Sequence, residues 1–146
     1  MDNQYKNIIK SIAQELDCGF NCYFNLQTEE IITIPGFSYM SDEEEFKKAF
    51  EEDYKRIEQQ KADLIKFEVL ESFESFKIME QFTEQLPDEK LRIELVNILA
   101  RKRPFQNFKN KVDQSDFRQH WFDFKQKELE KRVEVELKIK KASAQQ

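Results

Sequence analysis

The spacing of apolar residues changes several times along this chain, and each change predicts an element. Tyr5, Ile8, Ile9, Ile12, Ala13 and Leu16 recur at steps of three and four, which puts them on one face of a 3.6-residue helix. This predicts a first helix over residues 3–16. Gly19 is placed to end it, because glycine adopts a left-handed cap without a Cβ penalty. The period then falls to two. Cys22, Phe24 and Leu26 alternate with Asn21, Tyr23 and Asn25, and residues 31–34 are a β-branched run. With the short polar QTEE between them, the two runs predict a β-hairpin, closed by Pro35 and Gly36.

Ser41 and Glu44 have the spacing of a capping box. They predict a helix to about Gln60, with Phe46, Ala49, Phe50, Tyr54 and Ile57 as its buried stripe. Asp42, Glu43 and Glu44 would oppose the positive end of its dipole. DLIKFEVL alternates again, with Leu64, Lys66 and Glu68 set against Ile65, Phe67 and Val69, and predicts a third strand. From Ser72 onward the pattern is helical. Phe76, Ile78, Met79, Phe82 and Leu86 form one stripe. After Pro87 and Asp88, Leu91, Leu95, Ile98 and Leu99 share the face of a further helix.

RKRPFQNFKNK, residues 101–111, is dense in basic and aromatic residues. It reads either as a grip on a nucleic-acid backbone or as a helix junction. Arg101, Lys102 and Arg103 suit the negative end of a finishing helix, and Pro104 suits the first position of the next. At 100° per residue Phe105, Phe108 and Val112 fall within about 60° of one another. Two Phe on a stripe with Val are expected in the core, along with Phe82 and Trp121. Rings that stack on bases would stand among the cations on the wet face. Ser115 is placed to cap a last helix, with Phe117, Trp121 and Phe124 on one face and Phe122, Leu129 and Val133 on another. VEVELKIK alternates like a strand but follows helical KELEKR. The reading is helix to about Leu137.

Together these elements predict a helix-rich α+β domain spanning residues 1–140, with a small antiparallel sheet packed against several amphipathic helices. Residues 141–146 are expected to be a disordered tail. The 146 residues, two Gly and three Pro fit that class. A chain of this size buries roughly 68–70% of its unfolded surface, enough to fold without disulfides or metal. No apolar run approaches the ~18 residues of a membrane span. Lys10, Ser11 and Gln14 interrupt the N-terminal apolar stretch, so it does not read as a signal peptide. The cytoplasm is therefore expected, with Cys18 and Cys22 as reduced thiols.

The net charge of −5 hides an asymmetry. Residues 1–100 hold 11 Lys/Arg against 22 Asp/Glu, and residues 101–146 hold 13 against 7. Internal pairing of the two halves accounts for this more simply than a polyanion surface. If such a surface exists, its contacts would be Arg101, Lys102, Arg103, Lys109 and Lys111.

Several chemistries lack their residues. CGFNC has a three-residue spacing, unlike the two-residue spacing of redox and zinc motifs, and both cysteines are expected to be small buried apolar residues. His120, near Asp116 and Asp123, has no neighbouring Ser or Cys to activate and is expected on a solvated helix surface. Gly19 and Gly36 stand alone, so no phosphate loop is present. The acidic stretches at 42–45 and 51–53 lack calcium-loop spacing. No cofactor or metal is expected.

ESFKIMEQFTEQLPDEKLRIELVNILARKRPFQNFKNKV followed by WFDFKQKELEKR resembles uncharacterised protein family 0158 of the bacterial UPF series. The matching positions are Ile78, Met79 and Phe82, then Phe105, Phe108 and Lys109, then Trp121 and Phe124. YFNLQTEEII is similar to the family's hairpin, but Glu29 stands where that pattern has Gly, so the turn type does not carry over. The resemblance covers most of residues 21–135. It implies an α+β domain and brings no activity with it. The function expected from these readings is a non-enzymatic binding or interaction module with a protein partner. The alternative is a nucleic-acid-associated protein using residues 101–127, with eight Lys/Arg against three Asp.

Overall fold

A computed structural model describes residues 3–36 and 43–144. The fold is α+β, with seven α-helices and one three-stranded antiparallel sheet among those residues. The described residues fall into two compact units. One takes the described residues of 1–69 and 129–146, and the other takes residues 70–128.

The first unit opens with a 3-10 turn, Asn3–Tyr5, and helix α1, Lys6–Asp17. Tyr5, Ile9, Ile12, Ala13 and Leu16 are buried and Ile8 is half-buried. The helix ends as its sequence predicts. Gly19 takes φ 93° and its amide donates to the Leu16 carbonyl. Strands β1 (Phe20–Asn25), β2 (Ile31–Pro35) and β3 (Leu64–Phe67) form a sheet with β1 in the centre, antiparallel to both neighbours. Cys22 pairs with Thr33 and Phe67, and Phe24 with Ile31 and Ile65. Cys22, Phe24, Ile65 and Phe67 are buried together on one face, while exposed Lys66 occupies the other.

The hairpin turn explains how QTEE reverses the chain without glycine. Asn25 is buried and makes the turn with both ends of its side chain. Its Oδ1 accepts from the Gln27 and Thr28 amides at 2.7 and 3.0 Å, and its Nδ2 donates to Gln60 Oε1 at 2.9 Å. The Glu29 amide returns to the Asn25 carbonyl, which forces Glu29 to φ 65°. Left-handed backbone costs an L-residue roughly 1–2 kcal/mol. Glycine loses that cost and gives back part of it through its freer unfolded chain. Glu29→Gly is therefore expected to raise stability by about 0.5–1 kcal/mol, read as a higher midpoint in urea at unchanged slope. The exposed contact from Gln4 Nε2 to Glu29, at 3.4 Å, is too long to offset the gain.

The predicted helix to Gln60 is two helices, α2 (Glu43–Ala49) and α3 (Glu51–Gln60). They part at Phe50, φ −114° and ψ 24°. Glu51, Glu52 and Asp53 fill the first turn of α3, where carboxylates favour a helix start. The expected buried stripe is not formed: Ala49 is exposed, and Phe46, Phe50, Tyr54 and Ile57 are only half-buried. Ser41 and Asp42 lie outside the described residues. Gly36 is required by close approach. A Cβ there would stand 2.8 Å from Val69 Cγ2 and 3.1 Å from the Gly19 carbonyl oxygen.

The second unit consists of α4 (Ser72–Glu84), α5 (Glu89–Leu99), α6 (Pro104–Asp113) and the first turns of α7 (Arg118–Ala144). Glu71 caps α4, accepting from the Glu74 amide while the Glu74 carboxylate accepts from its own. Asp88 caps α5 through the Leu91 amide at 2.9 Å. Ile78, Met79, Phe82, Leu86, Leu91, Leu95, Phe108, Val112 and Trp121 form the core.

Helix α7 continues through Ala144, beyond both Leu137 and the Lys140 boundary expected for the ordered chain. The strand-like alternation of VEVELKIK is two opposite helix faces. Val133 and Leu137 are buried four residues apart, and Val135 and Ile139 are exposed four residues apart. Lys140 and Lys141 join this end of the helix to the sheet and to Tyr5 within the same unit. Lys140 Nζ donates to the Lys66 carbonyl and lies over the Phe67 ring, and Lys141 Nζ lies over the Tyr5 ring at 4.4 Å. Gln145 and Gln146 are outside the described residues.

Candidate interaction surface

The helical unit presents its apolar side chains on more than one face. Helix α5 buries Leu91 and Leu95, yet Ile93 and Val96, on the opposite side, are 51% and 52% exposed. Helix α4 buries Phe82 and leaves Phe73, half a turn away in phase, 69% exposed. The two helices form an αα-hairpin through residues 85–88. An open groove of about 430 Å³ is lined by Phe76, Glu80, Thr83 and Glu84 of α4 and by Val96, Leu99 and Ala100. Thr83 is buried and its hydroxyl donates to the Met79 carbonyl at 2.8 Å. The polar edge of the groove is thus left to Glu80 and Glu84. Both are exposed, and neither forms an ion pair among the described residues.

The basic segment leads away from one end of this groove. Arg101, Lys102 and Arg103 are exposed and cross from Ala100 to Pro104, which starts α6 at its first position as the sequence predicts. Arg103 takes the left-handed conformation, φ 55°, and Asn107 Nδ2 donates to the Lys102 carbonyl. The five candidate polyanion contacts differ in their surroundings. Lys111 is held by Glu94 at 2.6 Å. Lys109 stands exposed further along α6. Arg101, Lys102 and Arg103 remain, with no ion pair among the described residues.

Phe105 is not core. It is 42% exposed, whereas Phe108, Phe82 and Trp121 are buried. Its phase is correct, but it lies in the first turn of α6, where its ring meets Phe76 edge-on at 6.3 Å between ring centres and stays partly open to solvent. Helical phase gives a direction and does not supply a neighbour at that height.

The thiols divide. Cys18 is exposed at the C-terminal cap of α1, contrary to expectation, and Cys22 is buried. Burial first, and Glu15 second, push the Cys22 thiol up to about 12. Iodoacetamide at pH 8 is therefore expected to label one thiol in the native protein and two after denaturation. Mass spectrometry of the peptides should place the native label on Cys18 alone. His120 is exposed on α7 with its ring against Phe117. Among the described residues, no group of three or more His, Cys, Asp or Glu is arranged to hold a metal ion, and no helix is long and apolar enough to cross a membrane.

The family model for the uncharacterised protein family UPF0158 matches residues 4–143. The chain belongs to UPF0158. The match runs through both compact units, beyond the 21–135 span on which the sequence motifs resemble the family. No curated protein and no solved structure matches it. As a UPF0158 member the chain inherits no named activity, so its chemistry rests on its own surface. The sequence reading missed the groove. The available signal was that Ile93 and Val96 lie about 100–160° from Leu91 and Leu95 at 100° per residue, which makes α5 apolar on two sides.

Proposed function

We propose that the protein is a non-enzymatic interaction module of the bacterial cytoplasm, working through the α4–α5 face of its helical unit. The observation that carries this reading is an open groove lined by Phe76, Leu99 and exposed Val96, on two helices that also expose Phe73 and Ile93. Exposed apolar side chains beside a groove mark sites where another molecule docks, and a groove between two helices suits an apolar helix face. Val96→Glu puts a charge into the groove at an exposed position. Its expected effect on folding is within about 0.5 kcal/mol. In pull-downs from the source cell after nuclease treatment, protein retained by the wild type should be lost with Val96→Glu. Identical captures by both forms would remove the groove from the reading.

The alternative, a nucleic-acid-associated protein, gains one observation. Phe105 stands partly exposed beside Arg101, Lys102 and Arg103, where a ring could stack on a base. Against it, the ring is already engaged by Phe76, and Lys111 is engaged by Glu94. The −11 charge of residues 1–100 opposes polyanions at long range. Binding through the remaining cations would be non-specific and steeply salt-dependent. Oligonucleotide titrations at about 50 and 200 mM salt separate the readings. Micromolar binding that survives the higher salt and is lost on Phe105→Ala would favour nucleic acid.

A further inference from the structure

The α4–α5 groove differs in charge between its ends. At one end Ala100 leads into Arg101, Lys102 and Arg103, and the Phe105 ring that follows them rests on Phe76. Glu80 and Glu84 lie one and two turns further along α4, so Glu84 is about 12 Å from Phe76 at 1.5 Å per residue. Like charges at this spacing repel each other. Neither these carboxylates nor the three cations have an ion-pair partner among the described residues. The apolar Phe76, Val96 and Leu99 line the same groove beside these charges.

An occupant must therefore bring an apolar strip flanked by both signs of charge in the reverse order. We propose that it is the same face of a second copy of this chain, turned end for end about a two-fold axis. This rests on the reading of the α4–α5 face as an interaction surface. Under two-fold symmetry every contact occurs twice. The cations of each copy meet Glu80 and Glu84 of the other, and the apolar strips meet between them. The opposite orientation would set like charges together at both ends, so the charge order selects one arrangement.

A charge exchange tests this directly. E80K/E84K makes the face basic at both ends, and R101E/R103E makes it acidic at both ends. All four positions are exposed, and far-UV circular dichroism confirms that each variant is folded. In sedimentation equilibrium the wild type should dimerise with a micromolar Kd that weakens as salt rises. Each double variant alone should show a Kd raised by roughly tenfold or more. Mixed one to one, the two variants should recover a dimer containing one of each, because both reciprocal contacts then join opposite charges. Val96→Glu should abolish association in either case.

A wild type that stays monomeric at about 100 µM overturns the second-copy proposal. The interaction-surface reading then stands or falls on the Val96→Glu capture experiment. A wild-type dimer that is unaffected by Val96→Glu, or variants that do not recover on mixing, also overturns it, because the copies would then meet elsewhere.

Discussion

Truncating Phe108 to Ala is expected to lower the unfolding free energy by about 3–5 kcal/mol. Phe108 is 1% exposed, and its ring meets Trp121 at 5.0 Å and Phe82 at 6.3 Å, both edge-on. Phe82 is fully buried and also meets Trp121 at 5.2 Å and Phe124 at 5.6 Å. The cost has three sources. Apolar area is returned to water, a cavity is left, and edge-to-face pairs each worth roughly 0.5–1.5 kcal/mol are lost. The neighbours are flat, rigid rings from α4 and α7, which collapse poorly into a void, so the value should fall toward the upper end. Urea titration followed by circular dichroism measures it. Trp121, the only tryptophan, reports the same site by fluorescence. Phe105→Ala, 42% exposed and touching one ring, should cost about 1 kcal/mol or less. A Phe108 variant melting within about two degrees of the wild type would mean that the aromatic cluster is not packed as described.

That pair of variants separates what the sequence holds from what it does not. Helical phase placed Phe82, Phe108 and Trp121 correctly, because a stripe at 3.6-residue spacing has to be buried against something. It failed for Phe105 for a geometric reason, since phase does not say where along its axis a helix still has neighbours. The same limit applies to α2 and α3. Phe46, Phe50, Tyr54 and Ile57 keep one phase throughout, yet the backbone parts at Phe50 and no residue of α3 is buried. The hairpin was legible from its period and its turn was not, because Asn25 bonds to Gln60, 35 positions away. The groove was least legible. Attention to one apolar face per helix hides a second, and Ile93 and Val96 are informative because they disobey the main stripe of α5.

The last stretch of α7 gives the sharpest contrast. Leu137→Ala is expected to cost about 2–5 kcal/mol, while Val135→Ala changes stability by no more than about 0.5 kcal/mol. Strand-like alternation treats these residues as equals. In VEVELKIK the residues Val133, Val135, Leu137 and Ile139 would share one face of a strand, and any of them would serve the core equally. On a helix, residues two apart point about 160° away from each other, and residues four apart realign. The burial follows the helix. Val133 and Leu137 are 1% and 0% exposed, and Val135 and Ile139 are 55% and 61% exposed. Leu129, 3% exposed, extends the buried row by one further turn. Leu137 thus loses a side chain enclosed on all sides, and Val135 loses one that already faces water. Val135 also carries a helix-propensity cost that Ala does not, so Val135→Ala is expected to be neutral to slightly stabilising while Leu137→Ala is severe. Chemical denaturation of the two variants side by side reads the difference. Equal losses at 135 and 137 would favour a strand and would detach residues 133–144 from the helix that now carries Lys140 and Lys141 to the sheet.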